Sequence, residues 1–242
     1  MRIAVVSDVH GGLVALEAVV VDLERLSPDL VVHGGDVAVL GPRPAEVVDR
    51  LRELGWPSVA GNTDEMLWDP SVRAEQERRA PKLLAWLDVL FGTLGPWAAE
   101  RLGEERIAWL RSRPLAVAEH GVRIVHASPG DLWRAPMPDA GDDELAGVYG
   151  DAGGTTVYGH IHRPFVRALP GAGPIVANCG SVGLPWDGDP RAAYLLVDDG
   201  RAEVRRVAYD LDRARRDLED AGFPLAGWLA TVQREARFTR PA

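Results

Sequence analysis

The sequence predicts an α/β protein, and two observations support this fold class. Short β-branched runs at 2–7 and 29–33 flank a stretch, 13–26, in which apolar residues recur at helical spacing. A second helical stretch at 43–54 precedes another strand-like run at 58–60. Alternation of strand and helix is typical of a sheet with parallel strands. We therefore expect the chain to begin with a largely parallel sheet.

The rest of the chain continues with helices and then with short strands. Residues 72–112 carry leucines at helical spacing, which predicts two or three helices, and the segment after residue 210 is predicted to be helical again. The predicted strands cover 114–119, 122–126, 155–158, 165–169, 174–177, 192–197 and 202–208. PGAGP at 170–174 is typical of a hairpin loop. We expect one domain over 1–242, with a helical insertion at about 66–112.

The composition favours a globular protein and argues against nucleic-acid binding. Of the 242 residues, 46% are hydrophobic and 26% are charged. A formal net charge of −9 repels nucleic-acid phosphates, so we expect no duplex partner. Cys179 is the only cysteine, and no apolar run approaches the roughly 18 residues that span a membrane. These features predict a cytoplasmic protein without a membrane partner, and they leave its oligomeric state open.

Polar residues stand at or just beyond the predicted ends of several strands, beside glycine or another small residue. They are Asp8, His10, Asp36, Asn62, His126, His160 and His162. Because ligands bind at the carboxyl ends of strands in open α/β sheets, we expect these seven side chains to converge. Oxygen and nitrogen donors without thiolates suit Mn, Fe, Zn or Ni. Seven donors exceed the need of one metal, so we predict two cations that share a carboxylate, as in phosphatases and nucleases.

Five motifs, in this order, resemble those of the calcineurin-like metallophosphoesterases. They are Asp8-Val9-His10, Gly35-Asp36, Gly61-Asn62, His126 and Gly159-His160-Ile161-His162. The resemblance covers residues 1–199 and is nearest to the small prokaryotic phosphodiesterase-like members, through GDVAVLGPRP and NCGSVGLPWDGDPRAAY. It implies a four-layer αββα sandwich, in which two mixed β-sheets pack face to face and helices flank them.

The resemblance also implies how the seven donors are shared. Asp8, His10 and His162 would hold one metal, and Asn62, His126 and His160 would hold the other. Asp36 would bridge the two, and Asp36, Asn62 and His126 are the expected catalytic residues. For the two divalent ions, manganese is the first expectation, with iron, zinc, nickel or cobalt as alternatives.

The implied activity is the hydrolysis of phosphoesters. We expect a phosphodiesterase that acts on small phosphodiesters or nucleotide-type substrates, through a hydroxide that bridges the metals. A phosphomonoesterase or protein phosphatase of the same family is one alternative. A non-catalytic metal-binding scaffold for protein interaction is another, although an intact set of donors argues against it.

Two positions depart from the family pattern. Many members carry histidine directly after Gly-Asn, where it can protonate the leaving oxygen, whereas this chain has Thr63 followed by Asp64. Relatives often show Gln-Pro-Arg near the end, where this chain has Leu184-Pro185-Trp186. Arg191 or Arg163 could replace the missing phosphate-binding arginine. The expected substrates are therefore activated aryl phosphodiesters.

Other conspicuous residues are assigned structural or selective roles. We expect His33 to support the Gly34-Gly35 turn, His120 to lie in a hairpin turn, and Cys179 to be a packing residue. The insertion at 66–112 is expected to cap the metal edge. Its tryptophans, together with Trp133 and Trp186, could form an apolar wall for an aromatic group, or they could serve ordinary core packing.

Overall fold

A computed structural model of the protein describes residues 1–150, 153–171 and 173–241. The strands are β1 (Arg2–Val6), β2 (Leu30–His33), β3 (Ala116–Glu119), β4 (Val122–Val125), β5 (Thr155–Tyr158), β6 (Phe165–Ala168), β7 (Ile175–Asn178), β8 (Ala192–Asp198) and β9 (Arg201–Val207). The helices are α1 (Leu13–Leu26), α2 (Pro44–Leu54), α3 (Asn62–Glu65), α4 (Val72–Arg79), α5 (Leu84–Val89), α6 (Gly95–Arg111), α7 (Asp142–Tyr149), α8 (Leu211–Asp220) and α9 (Ala226–Glu235). In the part of the chain just given, no helix is long and apolar enough to cross a membrane.

The strands form two mixed sheets. The first has the order β2-β1-β8-β9, in which β1 runs parallel to β2 and antiparallel to β8. The second has the order β3-β4-β5-β7-β6, in which β4, β5 and β7 are parallel and both edge strands are antiparallel to their neighbours. The expectation of a largely parallel sheet is therefore wrong, because β8 from the second half of the chain pairs antiparallel with β1.

Four layers follow from the way that successive side chains of a strand point to opposite faces. Between the sheets, buried residues such as Val5 and Leu195 of the first pack with Val157 and Ala177 of the second. On the outer face of the first sheet, alternate residues pack against α1 and α2. On the outer face of the second, Tyr158 and its neighbours pack against α7. This arrangement is the αββα sandwich that the family resemblance implies.

Some predicted elements change in the structure. The strand predicted at 58–60 is wrong, since only Ser58 forms a bridge with His33 before the Ala60 N–H turns away to the Pro114 carbonyl. The sequence analysis also missed α7. The hairpin that joins β6 and β7 is present, although residue 172 of the predicted loop at 170–174 lies outside the described residues.

The segment after α3 divides into two parts with different surroundings. α4 and α5 are short, and a π-helical turn at Leu90–Leu94 leads into α6. α6 packs against α2: Leu102 and Leu110 belong to the core on the first sheet, and Arg106 binds both carboxylate oxygens of Asp49. The stretch from α4 to the π-helical turn instead borders the cleft described below.

Candidate active site

The seven polar residues singled out in the sequence meet at one edge of the sandwich. Asp8 and His10 follow β1, Asp36 follows β2, and Asn62 begins α3. The second sheet contributes His126 directly after β4 and, just beyond β5, a pair of histidines, His160 and His162. The carboxyl ends of parallel strands from both sheets therefore supply the donors to a common site.

The first cluster consists of Asp8, His10 and His162, all buried. The Nε2 atoms of the two imidazoles are 3.1 Å apart, and the His162 Nε2 is also 3.1 Å from the Asp8 Oδ1. Both Nδ1 atoms lie against backbone carbonyls, at 2.7 Å from Val39 and 2.6 Å from Leu184. The backbone thus turns both Nε2 atoms toward the same carboxylate.

The second cluster is centred on the amide of Asn62. Its Oδ1 is 2.8 Å from the His126 Nε2 and 2.8 Å from the His160 Nδ1. The other ring nitrogen of His126 is 2.9 Å from the Gly34 carbonyl. Three potential ligand atoms therefore face one another in this cluster as well.

Asp36 lies between the two clusters and presents one carboxylate oxygen to each. Its Oδ2 is 3.6 Å from the His10 Nε2, and its Oδ1 is 3.5 Å from the His126 Nε2. The Thr63 N–H donates a 2.9 Å hydrogen bond to Oδ1, which fixes the orientation of the carboxylate. The potential ligand atoms of Asp8, His10 and His162 lie within 4.8 Å of one another, and so do those of Asp8, Asp36 and His126.

The orientation of three imidazole rings suits bound cations. The Nδ1 atoms of His10, His126 and His162 lie against backbone carbonyls, so the neutral tautomer that donates to the carbonyl leaves the Nε2 lone pair free to bind a metal. Metal-bound histidines commonly donate their other N–H to a carbonyl in this way.

Comparison with known proteins identifies the family. Residues 1–200 match the model of the calcineurin-like phosphoesterase superfamily domain. The chain belongs to this family. It is therefore a hydrolase that acts on phosphoester bonds. The family is metal-dependent, and the carboxylate and imidazole groups at this edge of the sandwich could hold metal ions.

Individual relatives support the assignment. An uncharacterized protein of Methanocaldococcus jannaschii is 32% identical over 234 residues, which cover 88% of this chain and 89% of that protein. A symmetrical bis(5′-nucleosyl)-tetraphosphatase of Methylococcus capsulatus is 31% identical over 160 residues, or 64% of this chain, and the match spans 53% of that protein's length. The crystal structure of a metallophosphoesterase from Sphaerobacter thermophilus is similar at a TM-score of 0.76 and 28% identity, covering 98% of this chain and 99% of that one.

The backbone of this phosphoesterase is strained where it presents the donors. Five of the seven donor residues have a left-handed φ: 55° at Asp8, 49° at His10, 58° at Asp36, 66° at His160 and 56° at His162. Residues other than glycine rarely adopt this conformation, although Asp and His tolerate it better than most. Strained residues of this kind cluster at functional sites, where the surrounding structure holds them in place.

Asp64 holds the loop that carries Asp36. Its carboxylate accepts hydrogen bonds from the N–H groups of Asp36 at 3.0 Å, Val37 at 3.0 Å and Gly61 at 3.2 Å. Gly61 also approaches Asp36 so closely that a Cβ there would lie 2.1 Å from the Asp36 nitrogen. The position of Asp36 between the two clusters therefore depends on two neighbours that offer no ligand atoms to the clusters.

Burial and neighbouring charges shift the pKa values of several groups at the site. Burial alone would raise the pKa of Asp8, but the imidazoles of His162, His126 and His10 outweigh it and hold that pKa below its usual range. Burial, followed by the charge of Asp36, raises the pKa of Asp64 to about 7. Burial lowers the pKa of His160 to about 4, so this ring is neutral at pH 7 and available as a ligand.

A cleft of about 550 Å³ opens beside the donors. Of the tryptophans proposed as an apolar wall, Trp86, Trp133 and Trp186 border it. Trp97 instead packs edge-on against Phe223, and Trp109 lies against the core on the first sheet. Among the bordering residues that the sequence analysis missed are Gln76 of α4 and Phe238 near the end of the described chain, neither of which stands near a motif.

The two departures from the family pattern lie inside this cleft. The hydroxyl of Thr63 is buried without a hydrogen-bond partner among the described residues, and Trp186 stacks on His162 with ring centroids 3.7 Å apart. Arg191 is bound to Asp189 and is not among the residues that border the cleft, so it cannot replace the missing arginine there. Arg163 does border the cleft, where its Nε donates to the Trp186 carbonyl.

The three residues expected to be structural are found in structural positions. The buried Nδ1 of His33 accepts a hydrogen bond from the Gly35 N–H and so supports the turn. His120 lies in the turn between β3 and β4. Cys179 is packed between the sheets, where burial raises the pKa of its thiol well above the usual value, so it is not a nucleophile.

Proposed function

We propose that this phosphoesterase hydrolyses small phosphodiesters, including nucleotide-type substrates, with the help of two divalent cations. One cation would be held by Asp8, His10 and His162, and the other by Asn62, His126 and His160, with Asp36 between them. The carboxylate of Asp36 is the main support, because it directs one oxygen toward each cluster. Manganese is the first expectation for both positions, since the donors are oxygen and nitrogen atoms only.

The side chains of the site have distinct roles in this proposal. Cations bound there would activate water as the nucleophile near neutral pH and neutralise charge on the phosphoryl group. The carboxylate of Asp36 would fix the position of the two clusters relative to each other. Because the Oδ1 of Asn62 faces His126 and His160, its amide N–H₂ group is left to donate to a phosphoryl oxygen that gains charge in the transition state.

The residue at position 186 favours diesters over monoesters. A monoester dianion carries one more negative charge than a diester and gains more from a nearby arginine. At the position where relatives often carry arginine, this chain places the uncharged ring of Trp186 against His162. Thr63 cannot protonate a leaving oxygen at neutral pH, so substrates with acidic leaving groups are favoured.

The proposal is tested by metal analysis and by turnover of paired aryl substrates. The protein is stripped with a chelator, reloaded separately with Mn, Co, Ni, Zn or Mg, and assayed on bis(p-nitrophenyl) phosphate and p-nitrophenyl phosphate. We expect two equivalents of metal and a higher kcat/KM for the diester. Asp36→Asn should bind both metals more weakly, whereas Asp143→Asn on the exposed face of α7 should not.

Three results would contradict parts of the proposal. A faster monoester reaction would favour the phosphomonoesterase alternative. Bound metal without turnover on any phosphoester would favour a scaffold. Two equivalents of metal at native affinity in Asp36→Asn would show that Asp36 is not the bridge.

We further propose that the stretch from α4 to the π-helical turn, residues 72–94, caps the cleft and selects substrates by size. It supplies Leu83, Leu87 and Leu90 to the cleft wall, whereas α6 packs on α2 and belongs to the core. Replacing 72–89 with a short Gly/Ser linker should preserve two bound metals and reduce discrimination between small and large aryl diesters. Loss of metal in a folded variant would show that the stretch builds the metal site instead.

A further inference from the structure

Gln76 places an unpaired amide in the wall of the cleft. It lies in α4, its side chain is only 6% exposed, and it borders the cleft together with the metal-site donors. Within the described ranges, no residue hydrogen-bonds to its amide. The amide atoms of Gln76 are not among the side-chain atoms that are shut off from solvent without a partner, so the amide faces the open space of the cleft. Polar groups in the wall of a ligand site commonly fix the orientation of a ligand.

The surface around Gln76 is aromatic and apolar. The ring centroids of His162 and Trp186 are 3.7 Å apart. Phe238 is next in this chain of contacts, with its ring centroid 4.9 Å from that of Trp186 and 5.2 Å from that of Trp86. Leu83 also borders the cleft. An apolar wall of this kind favours a flat ring, because aromatic faces and edges pack well against one another.

The charges at the cleft favour an anionic ligand. Arg134 and Arg163 border the cleft, and no carboxylate in the described part of the chain forms an ion pair with either. Arg79, which also borders it, is already bound to Asp131 and Glu75. Two uncompensated cations stand out in a chain with a net charge of −9.

Resting on the proposed function, we propose that the cleft binds an adenine-type base of the substrate, with Gln76 recognising the edge of that base. An amide presents one donor and one acceptor side by side, which matches the N6 amino group and N7 of adenine. The corresponding edge of guanine has two acceptors and cannot satisfy both amide groups. A purely apolar substituent would leave the amide unpaired.

The base subsite can be tested without a reacting bond. Adenosine and guanosine carry no phosphoester, so their binding to the metal-loaded protein is followed by quenching of tryptophan fluorescence, independently of turnover. We expect adenosine to bind more tightly than guanosine. Gln76→Met, which keeps the length of the side chain and removes both hydrogen bonds, should weaken adenosine binding about fivefold to tenfold.

Gln233→Met is the matched control. Gln233 is also helical and 6% exposed, but it lies in α9 and does not border the cleft. Its substitution should leave the preference for adenosine unchanged. If Gln76→Met does not fold, Gln76→Glu keeps an acceptor and removes the donor, and it should lose the same preference.

The outcomes separate the base subsite from the proposed reaction. Equal binding of adenosine and guanosine, or adenosine binding that is unaffected by the Gln76 variants, would overturn the base subsite even if aryl diesters are hydrolysed. Preferential adenosine binding that depends on Gln76 would support the subsite even if no diester is hydrolysed, in which case only the proposed reaction fails.

Discussion

Replacing Gly61 with alanine tests whether the position of Asp36 controls the metal site. An added Cβ would lie 2.1 Å from the Asp36 nitrogen and 2.2 Å from its Oδ1. Ordinary contacts of this kind begin at 3.4 Å, so both distances fall more than an ångström short. The φ of −109° at Gly61 is open to alanine, and the effect therefore comes from the contact rather than from backbone strain.

The displacement sets the expected magnitude. A shift of about 1 Å in a catalytic arrangement costs about 10²-fold in rate, and disturbed support of metal ligands costs about 10–100-fold in metal affinity. We expect Gly61→Ala to lower kcat/KM on an aryl diester by at least about 10²-fold. We expect it to weaken metal binding by about 10–100-fold. Gly227→Ala, whose added Cβ meets nothing within 4 Å, is the control and should retain both.

Metal titration, elemental analysis and diester turnover are measured on both variants, with circular dichroism to confirm that each is folded. Gly61→Ala with wild-type affinity for both metals and wild-type turnover would refute the reasoning. In that case Asp36 could move by an ångström without consequence, and the hydrogen bonds from Asp64 and Thr63 would not be fixing a bridge.

Three further predictions concern single positions. Thr63→His should raise turnover of alkyl diesters relative to aryl diesters by about tenfold, which is below the roughly 10²–10⁴-fold that general acid catalysis typically contributes. The gain is small because Asp64 already accepts hydrogen bonds from three backbone N–H groups and cannot orient the new ring. Equal effects on both substrates would place residue 63 away from the leaving group. Trp186→Arg should raise the ratio of monoester to diester kcat/KM by about tenfold, because a charge-assisted hydrogen bond to the monoester dianion contributes about that much. An unchanged ratio would contradict a role of Trp186 in excluding monoesters. Burial lowers the pKa of His33 from 6.5 to about 4, so below pH 6.5 the unfolded chain binds a proton that the folded chain does not. The free energy of unfolding should therefore fall as the pH drops from about 6.5 toward 4, by up to about 3 kcal/mol. His33→Asn keeps an acceptor for the Gly35 N–H. In urea unfolding, its free energy of unfolding should fall less over this pH range than that of the wild type. Equal falls in both proteins would show that His33 is not the source of the pH dependence.

The convergence of the seven polar residues could be predicted from the sequence because each is tied to a local signal. A strand end, a neighbouring glycine or other small residue and a polar donor lie within a few residues of each other at Asp8, Asp36 and His126. The position of such a residue along the sheet edge follows from its strand, so convergence of the donors is the expected result of an α/β fold.

Features that depend on distant contacts could not be read in the same way. The antiparallel pairing of β8 with β1 joins residues nearly 200 positions apart, and Phe238 reaches the cleft only because α8 and α9 return the chain to it. The helix α7 did leave a signal, since three acidic residues in its first turn suit the positive end of a helix dipole. Gln76 left none, because an amide on a charged helix is indistinguishable in sequence from a surface residue.

The left-handed conformation of the donor residues sets stability and activity against each other during protein engineering. Each such residue stores about 1–3 kcal/mol of strain, which glycine would relieve while it removes a ligand. Screening a library for heat resistance in a chelating buffer would therefore enrich glycine at His10 or His160 and select inactive proteins. A useful selection for a more robust variant must reward turnover in the same step, or include the metal so that its binding opposes the gain from relaxing the backbone.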